Sequence, residues 1–203
     1  SYAARVAATV GVMMTLVMGV RSREALARAC DLGLAMQLTN IARDIGEDAR
    51  AGRCYLPSEW LREAGLTAHE LASLDEADDR VRMLTERMLD AARPLYAAGI
   101  SGIGLLPEAC RPAIRAAAAI YSEIGAEIAR AGHDSIAQRA VVSKRRKIAL
   151  AATSFIPGRL DSSRRFAPPE PACAFLVDAV PESAPNASYL LAPKAGSPSW
   201  AID

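Results

Sequence analysis

Aromatic side chains are scarce: three Phe, two Trp and five Tyr make up 5% of a 203-residue chain that is 51% apolar. A β-rich domain draws on aromatic and β-branched residues, whereas this chain's apolar mass is largely Ala and Leu, which points to helices. Charge of one sign is also missing. With 24 basic and 23 acidic residues the formal net charge is +1, which gives no support for a general nucleic-acid surface. The four cysteines, Cys30, Cys54, Cys110 and Cys173, are isolated, and His69 and His133 stand near none of them. That spacing argues against a disulfide framework and a zinc site, and it makes a reduced, cytoplasmic setting the expected one. Long hydrophobic runs are absent too. The fifteen uncharged residues between Arg5 and Arg21 fall short of the roughly eighteen needed to span a bilayer, so a buried core helix is predicted there. No signal peptide and no internal repeat is visible. The chain opens on Ser1 rather than Met, and it is read as part of a longer protein whose N-terminal portion is missing.

The chain is long enough for one domain with a real core. An apolar helix is predicted over 2–20, and a second runs from an N-cap at Ser22 to about Asp48. The segment Gly52 to Pro57 breaks it. A short helix starts at Ser58 and ends at Gly65, and further helical patterning begins at Thr67 and is clearest from Asp75 to Tyr96. Gly99 to Pro107 reads as a hinge-like loop, Glu108 to Ala131 as a helix closed by Gly132, and Ser135 to Ala152 as a last helix carrying Lys144, Arg145, Arg146 and Lys147. That basic run is expected to be a solvated helix end complementing the dipole, with contact to anionic lipid as the alternative. From Pro157 onward Pro, Ser and Ala dominate. Residues 1–156 are therefore read as the helical domain and 157–203 as an extended, poorly ordered tail.

One stretch organises the rest. At roughly 100° per residue, Leu34, Leu38, Ile41 and Ile45 form one narrow apolar stripe, and Gln37, Asn40, Asp44 and Asp48 form a second centred about 80° away. The side opposite the core would belong to Thr39, Arg43 and Gly46. The amide and carboxylate row thus borders the apolar stripe and would face a cavity. Carboxylates at i, i+4 repel, and partly buried they need a cation between them. Magnesium suits that need, because it takes one or two carboxylates, keeps waters and binds substrate phosphates. The other reading of the same spacing is a solvated charged helix end, with Arg43, Glu47 and Arg50 close by.

The run Gln37-Leu38-Thr39-Asn40-Ile41-Ala42-Arg43-Asp44-Ile45-Gly46-Glu47-Asp48, followed by Gly52-Arg53-Cys54-Tyr55-Leu56-Pro57, resembles the second aspartate-rich motif of the squalene and phytoene synthase family. Tyr2-Ala3-Ala4-Arg5-Val6-Ala7 resembles, more loosely, the segment that supplies the family's active-site tyrosine. The likeness covers Tyr2 to about residue 150. It implies an all-α isoprenoid-synthase-type bundle around a central cavity, and magnesium, with manganese as the alternative, held by Asn40, Asp44 and Asp48. It also implies Tyr2, Asp44 and Asp48 as catalytic residues, and Gln37, Asn40, Arg43, Arg53, Tyr55, Tyr121 and Arg139 as residues on the prenyl diphosphate substrates. Without the likeness, Tyr2 and Tyr121 are packing aromatics and Arg139 a surface charge. Arg43 faces away from the carboxylate row by helix geometry, and Tyr55 is placed as a pocket wall.

The chemistry this resemblance implies is head-to-head condensation of two geranylgeranyl diphosphates through prephytoene diphosphate to phytoene. It requires cation clamps on the leaving diphosphate and a dry apolar chamber. The family's first aspartate-rich motif has no counterpart here, so this chain carries half of the expected metal site. Competing readings are a squalene or dehydrosqualene synthase using farnesyl diphosphate, and a non-catalytic diphosphate-binding helical remnant. A general prenyl elongase fits poorly, because its aspartates are more closely spaced than this row. Contact with a membrane surface is expected to be peripheral at most.

Overall fold

The computed structural model describes residues 2–156 and 167–181. Among these the fold is entirely helical, as the composition predicts. A π-helical turn at Ala4–Ala8 leads into α1 (Thr9–Val17), followed by α2 (Arg23–Arg50), α3 (Ser58–Glu63), α4 (Ala68–Ala72) and α5 (Asp79–Ser101). Two short 3-10 turns precede α6 (Arg111–Arg130), α7 (Lys144–Thr153) and α8 (Ala174–Asp178). No described helix is long and apolar enough to cross a membrane.

Caps set the boundaries. The Ser22 side chain accepts from the Ala25 N–H at the start of α2, Thr67 and Glu70 form a reciprocal capping box on α4, and Asp78 caps α5 through the Val81 N–H. At the end of α2 the Gly52 N–H bonds the Ala49 carbonyl and the Arg53 N–H the Asp48 carbonyl, with Gly52 at φ 72°. This is a Schellman closure, and glycine takes its left-handed position without a Cβ penalty.

Helix α2 is the axis of the fold. Ile41, Ala42, Ile45 and Ala49 pack on Leu71, Val81, Leu84, Met88, Ile124 and Ile128, while Leu26, Cys30 and Leu34 pack on Ala4, Ala8 and Val12. The side assigned to solvent from periodicity is not solvated. Thr39 is 1% exposed, donates to the Ala35 carbonyl and shares a 3.0 Å hydrogen bond with the Tyr96 hydroxyl. Gly46 lies against residues 135 and 136, where an added Cβ would come within 2.8 Å of the Ile136 Cα and the Ser135 oxygen. A helix buried on every side needs small or satisfied residues where a surface helix would carry charge.

Two further expectations are corrected. The last predicted helix begins at Lys144, not Ser135, because Asp134 holds the chain in an irregular turn. Its Oδ1 accepts from the backbone N–H groups of Ala77, Ile136 and Ala137. The basic run therefore occupies the first turn of α7, where the dipole disfavours cations. Arg146 is offset there by Glu123 at 2.8 Å. Nor is the tail extended throughout. Residues 167–181 fold back as a turn and α8, burying Cys173 and Val177 among Leu26, Cys30 and Leu34. The rest of the predicted tail, 157–166 and 182–203, lies outside the described residues.

Val177→Ala is expected to lower stability by about 2 kcal/mol through the cavity it leaves. Urea unfolding checks this, and an unchanged midpoint would mean that α8 is not part of the core.

Candidate functional site

The predicted polar row lies along α2 as three successive groups, each met by a different part of the chain. At the C-terminal end, Asp48 Oδ1 accepts from Arg53 Nη2 at 2.8 Å and from Nε at 3.1 Å. The Schellman closure positions this pair, because the same motif ties the Arg53 backbone to the Asp48 carbonyl. Tyr55, two residues on, stacks on Tyr2 with ring centroids 4.7 Å apart and planes at 22°. The hydrogen bond with Tyr55 is the main cause of a raised Tyr2 pKa, with the Asp48 carboxylate adding to it. Tyr2, Asp48, Arg53 and Tyr55 thus form one cluster, joining the looser tyrosine segment to the loop after α2.

One turn earlier, Asp44 is held by two arginines. Arg43 forks onto it, Nε to Oδ1 at 2.8 Å and Nη2 to Oδ2 at 2.6 Å, while Arg139 Nε reaches Oδ1 at 2.7 Å. Arg139 also lies 3.2 Å from Glu47. Arg43 does not point away, as backbone periodicity suggested, because its long side chain folds back onto its neighbour. Burial pushes the Asp44 pKa up, but the hydrogen bonds from Arg43 and Arg139 outweigh it and hold the carboxyl below its usual range. Arg139 reaches this place from 95 residues away. It can do so because residues 134–143 are irregular and because Gly46, lacking a side chain, lets that segment lie on α2, with its N–H bonded to the Ser135 carbonyl at 3.0 Å.

The third group, Gln37 and Asn40, lines a cavity of about 400 Å³ between α1, α2, α6 and the end of α5. Tyr121 lines it as well, together with Met14, Met18 and Met36. Asn40 Oδ1 is buried there with no hydrogen-bond partner. A larger cavity, about 1050 Å³, opens on the other flank of α2 and is bordered by Tyr2, Tyr55, Trp60, Leu34 and Leu38. Its buried charges are Arg28 and Asp31, 2.8 Å apart, and the carboxylate row is not on its wall. The smaller cavity is therefore the better candidate site, since the unsatisfied amide oxygen and the predicted tyrosine converge on it.

The donors in the row are all oxygens: Asn40 Oδ1 and the Asp44 and Asp48 carboxylates. That set fits a hard divalent cation completed by water or phosphate oxygens, and the orphaned Asn40 Oδ1 is a group such a cation would satisfy. No cluster of three or more His, Cys, Asp or Glu suited to a metal occurs among the described residues, in keeping with an incomplete donor set. Sequence reasoning missed Glu47, which had been read only as a nearby charge. It also missed the Thr39–Tyr96 pair behind the site, where nothing marks two residues 57 apart as partners.

The squalene/phytoene synthase family description matches residues 1–146. The chain is 51% identical over 193 residues to a phytoene synthase of Cereibacter sphaeroides, covering 91% of this chain and 54% of that protein. It is 49% identical over 184 residues to a phytoene synthase of Rhodobacter capsulatus, covering 88% and 54%. Among solved structures, a dehydrosqualene synthase in complex with ligand superposes with a TM-score of 0.68 at 33% identity, over 75% of this chain and 54% of the other. The chain thus spans about half the length of the curated relatives it matches.

Gly52→Ala meets no neighbouring atom, so its cost is conformational, about 1–2 kcal/mol for a side chain in the left-handed region. Thermal unfolding checks the size, and a neutral result would refute the closure as described. The pH dependence follows from Asp44. Its lowered pKa means its contribution to stability is complete above the ordinary carboxylate value of about 4 and is lost as pH falls further. Asp44→Asn is expected to flatten the acid limb of a stability–pH curve, and an identical limb would show that the pairing contributes nothing.

Proposed function

The chain belongs to the squalene/phytoene synthase family, and from that premise we propose that it carries half of the active site of a phytoene synthase. The reaction is head-to-head condensation of two geranylgeranyl diphosphates through prephytoene diphosphate to phytoene. The observation that carries this reading is the junction at Asn40. There a row of amide and carboxylate oxygens, flanked by arginines, meets a cavity lined by apolar side chains. A prenyl diphosphate has the same division, a polyanion joined to a hydrocarbon.

In this reading Asn40, Asp44 and Asp48 hold magnesium, or manganese in its place, which supplies Lewis-acid neutralisation of the leaving diphosphate when bound. Arg43, Arg53 and Arg139 already stand on the carboxylates and are within reach of phosphate oxygens, where a guanidinium fork gives paired hydrogen bonds. Gln37 and Tyr121 are placed to orient the first carbons of the substrate at the cavity mouth. The methionine-rich wall excludes water from the cationic carbon skeleton, and Met adapts its shape to a flexible chain. Tyr2 approaches from the other flank through Tyr55. The same reading carries a peripheral contact with anionic lipid through Lys144–Lys147, since substrate and product are lipids.

A farnesyl-using reaction is the second reading, favoured by the dehydrosqualene synthase named for the structural neighbour. The two separate in a product assay on the protein expressed from its full open reading frame, with magnesium and either diphosphate. Phytoene from the longer substrate is expected. Hydrocarbon from farnesyl diphosphate alone would overturn that choice, and none from either would favour a binding remnant. Asp44→Asn is expected to reduce turnover at least 100-fold with the helical signal intact, as loss of a cation ligand would. Unchanged turnover would refute the assignment.

A further inference from the structure

The smaller cavity has a direction, fixed by how α1 lies on α2. Gly11 sits against the Ala29 carbonyl and Gly33 against the Ala7 carbonyl, so the two helices run antiparallel with residues 7 and 33, and 11 and 29, side by side. Continuing that register brings Thr15 beside Ala25. The third wall follows the same order, because Gly99 meets Leu32 and Gly102 meets Arg28. Ile103 and Leu106 therefore lie toward Ala25, and Gln37, Asn40 and Tyr121 mark the opposite end.

The cavity is polar at one end and apolar at the other, and burial follows the same axis. Val6, Val10 and Met14 on its flank are about half exposed, whereas Thr15, Ala25 and Ile103 are at most 3% exposed. The Thr15 hydroxyl is spent on the Gly11 carbonyl at 2.9 Å, so this end offers no free polar group. The cavity thus has a closed floor.

We propose that Thr15, Met18 and Ala25 form a length gauge and are the specificity-determining residues for the prenyl chain. This rests on the prenyl diphosphate reading above. From Asn40 to Ala25 is fifteen residues of α2, about 22 Å at the rise of an α-helix. An isoprene unit in extended form adds about 5 Å, from four carbon–carbon bonds of about 1.5 Å in zigzag. The cavity accordingly takes about four units, the length of a geranylgeranyl chain. A farnesyl chain, one unit shorter, would leave the floor uncovered and its last contacts unmade.

The test is calorimetric binding of geranylgeranyl and farnesyl diphosphate, with magnesium, to the protein expressed from its full open reading frame and to Ala25→Leu. Raising the floor is expected to weaken the longer ligand at least 10-fold and leave the shorter one within a factor of two, since added carbons in an apolar pocket discriminate on this scale. Equal weakening of both ligands, or of neither, in a protein with an intact helical signal would overturn the gauge. Should Ala25→Leu fail to fold, Met18→Phe at the half-buried neighbour takes its place with the same two outcomes. A length-dependent split in binding without turnover in the unsubstituted protein would sink the catalytic reading and leave the gauge standing.

Discussion

Burial of α2 on every side is the constraint from which the rest of the structure follows. A 28-residue helix that carries Asp31, Gln37, Thr39, Asn40, Asp44 and Asp48 through the middle of a domain must find partners for each of them. An unpartnered buried polar group costs about 1–3 kcal/mol, more if it is charged. The partners come from distant parts of the chain: Tyr96 for Thr39, Arg139 for Asp44, Arg53 for Asp48. Their arrival fixes the irregular 134–143 segment and the turn at Gly52. Asn40 Oδ1 is the member of this row left unanswered. In a helix where every neighbour is satisfied, that exception points to a ligand.

The sequence made the main elements legible because their signals are local. Ser22, Thr67, Gly52 and Gly132 act within a few residues of themselves, and the structure places helix ends at or beside each of them. The polar row was legible for the same reason, since i, i+4 spacing on one helix requires no tertiary knowledge. What failed was whatever depended on a second element. Thr39 and Gly46 looked solvated because periodicity describes one helix and is blind to a Tyr96 hydroxyl or a passing backbone. Arg43 was placed by its Cα direction, yet a guanidinium on a long stem can reach back to the adjacent carboxylate. The start of α7 was misjudged because Asp134 is a turn residue whose acceptors' partners include Ala77, 57 positions away.

The composition of residues 157–203 was read as that of an unpacked tail, and over 167–181 the packing contradicts it. Pro and Ser keep a segment from forming long helices, but they do not prevent two apolar side chains from being captured. The capture has an electrostatic latch. Arg28 donates to the Pro168 carbonyl at 3.1 Å, and the Glu170 N–H donates to Asp31. Burial pushes the Asp31 carboxyl up, with Arg28 working against it, so this ion pair is not an obvious source of stability. Its effect is positional: it brings the 167–172 segment over the larger cavity, all six of whose residues contribute to the wall.

That latch also explains why the two cavities differ in kind. Arg28 borders both, with its aliphatic stem against Gly102 on the side of the smaller one and its charge turned to Asp31. The smaller cavity is thereby spared a buried charge along its length, and its polarity is confined to the Gln37–Asn40 end. A carbocation passing along such a chamber meets no competing nucleophile on the walls, and a hydrocarbon chain meets no polar group to desolvate. The larger cavity has more room but carries its ion pair on the wall, which suits neither demand. Size alone would have selected the wrong site, and the distribution of charge along α2 selects the other.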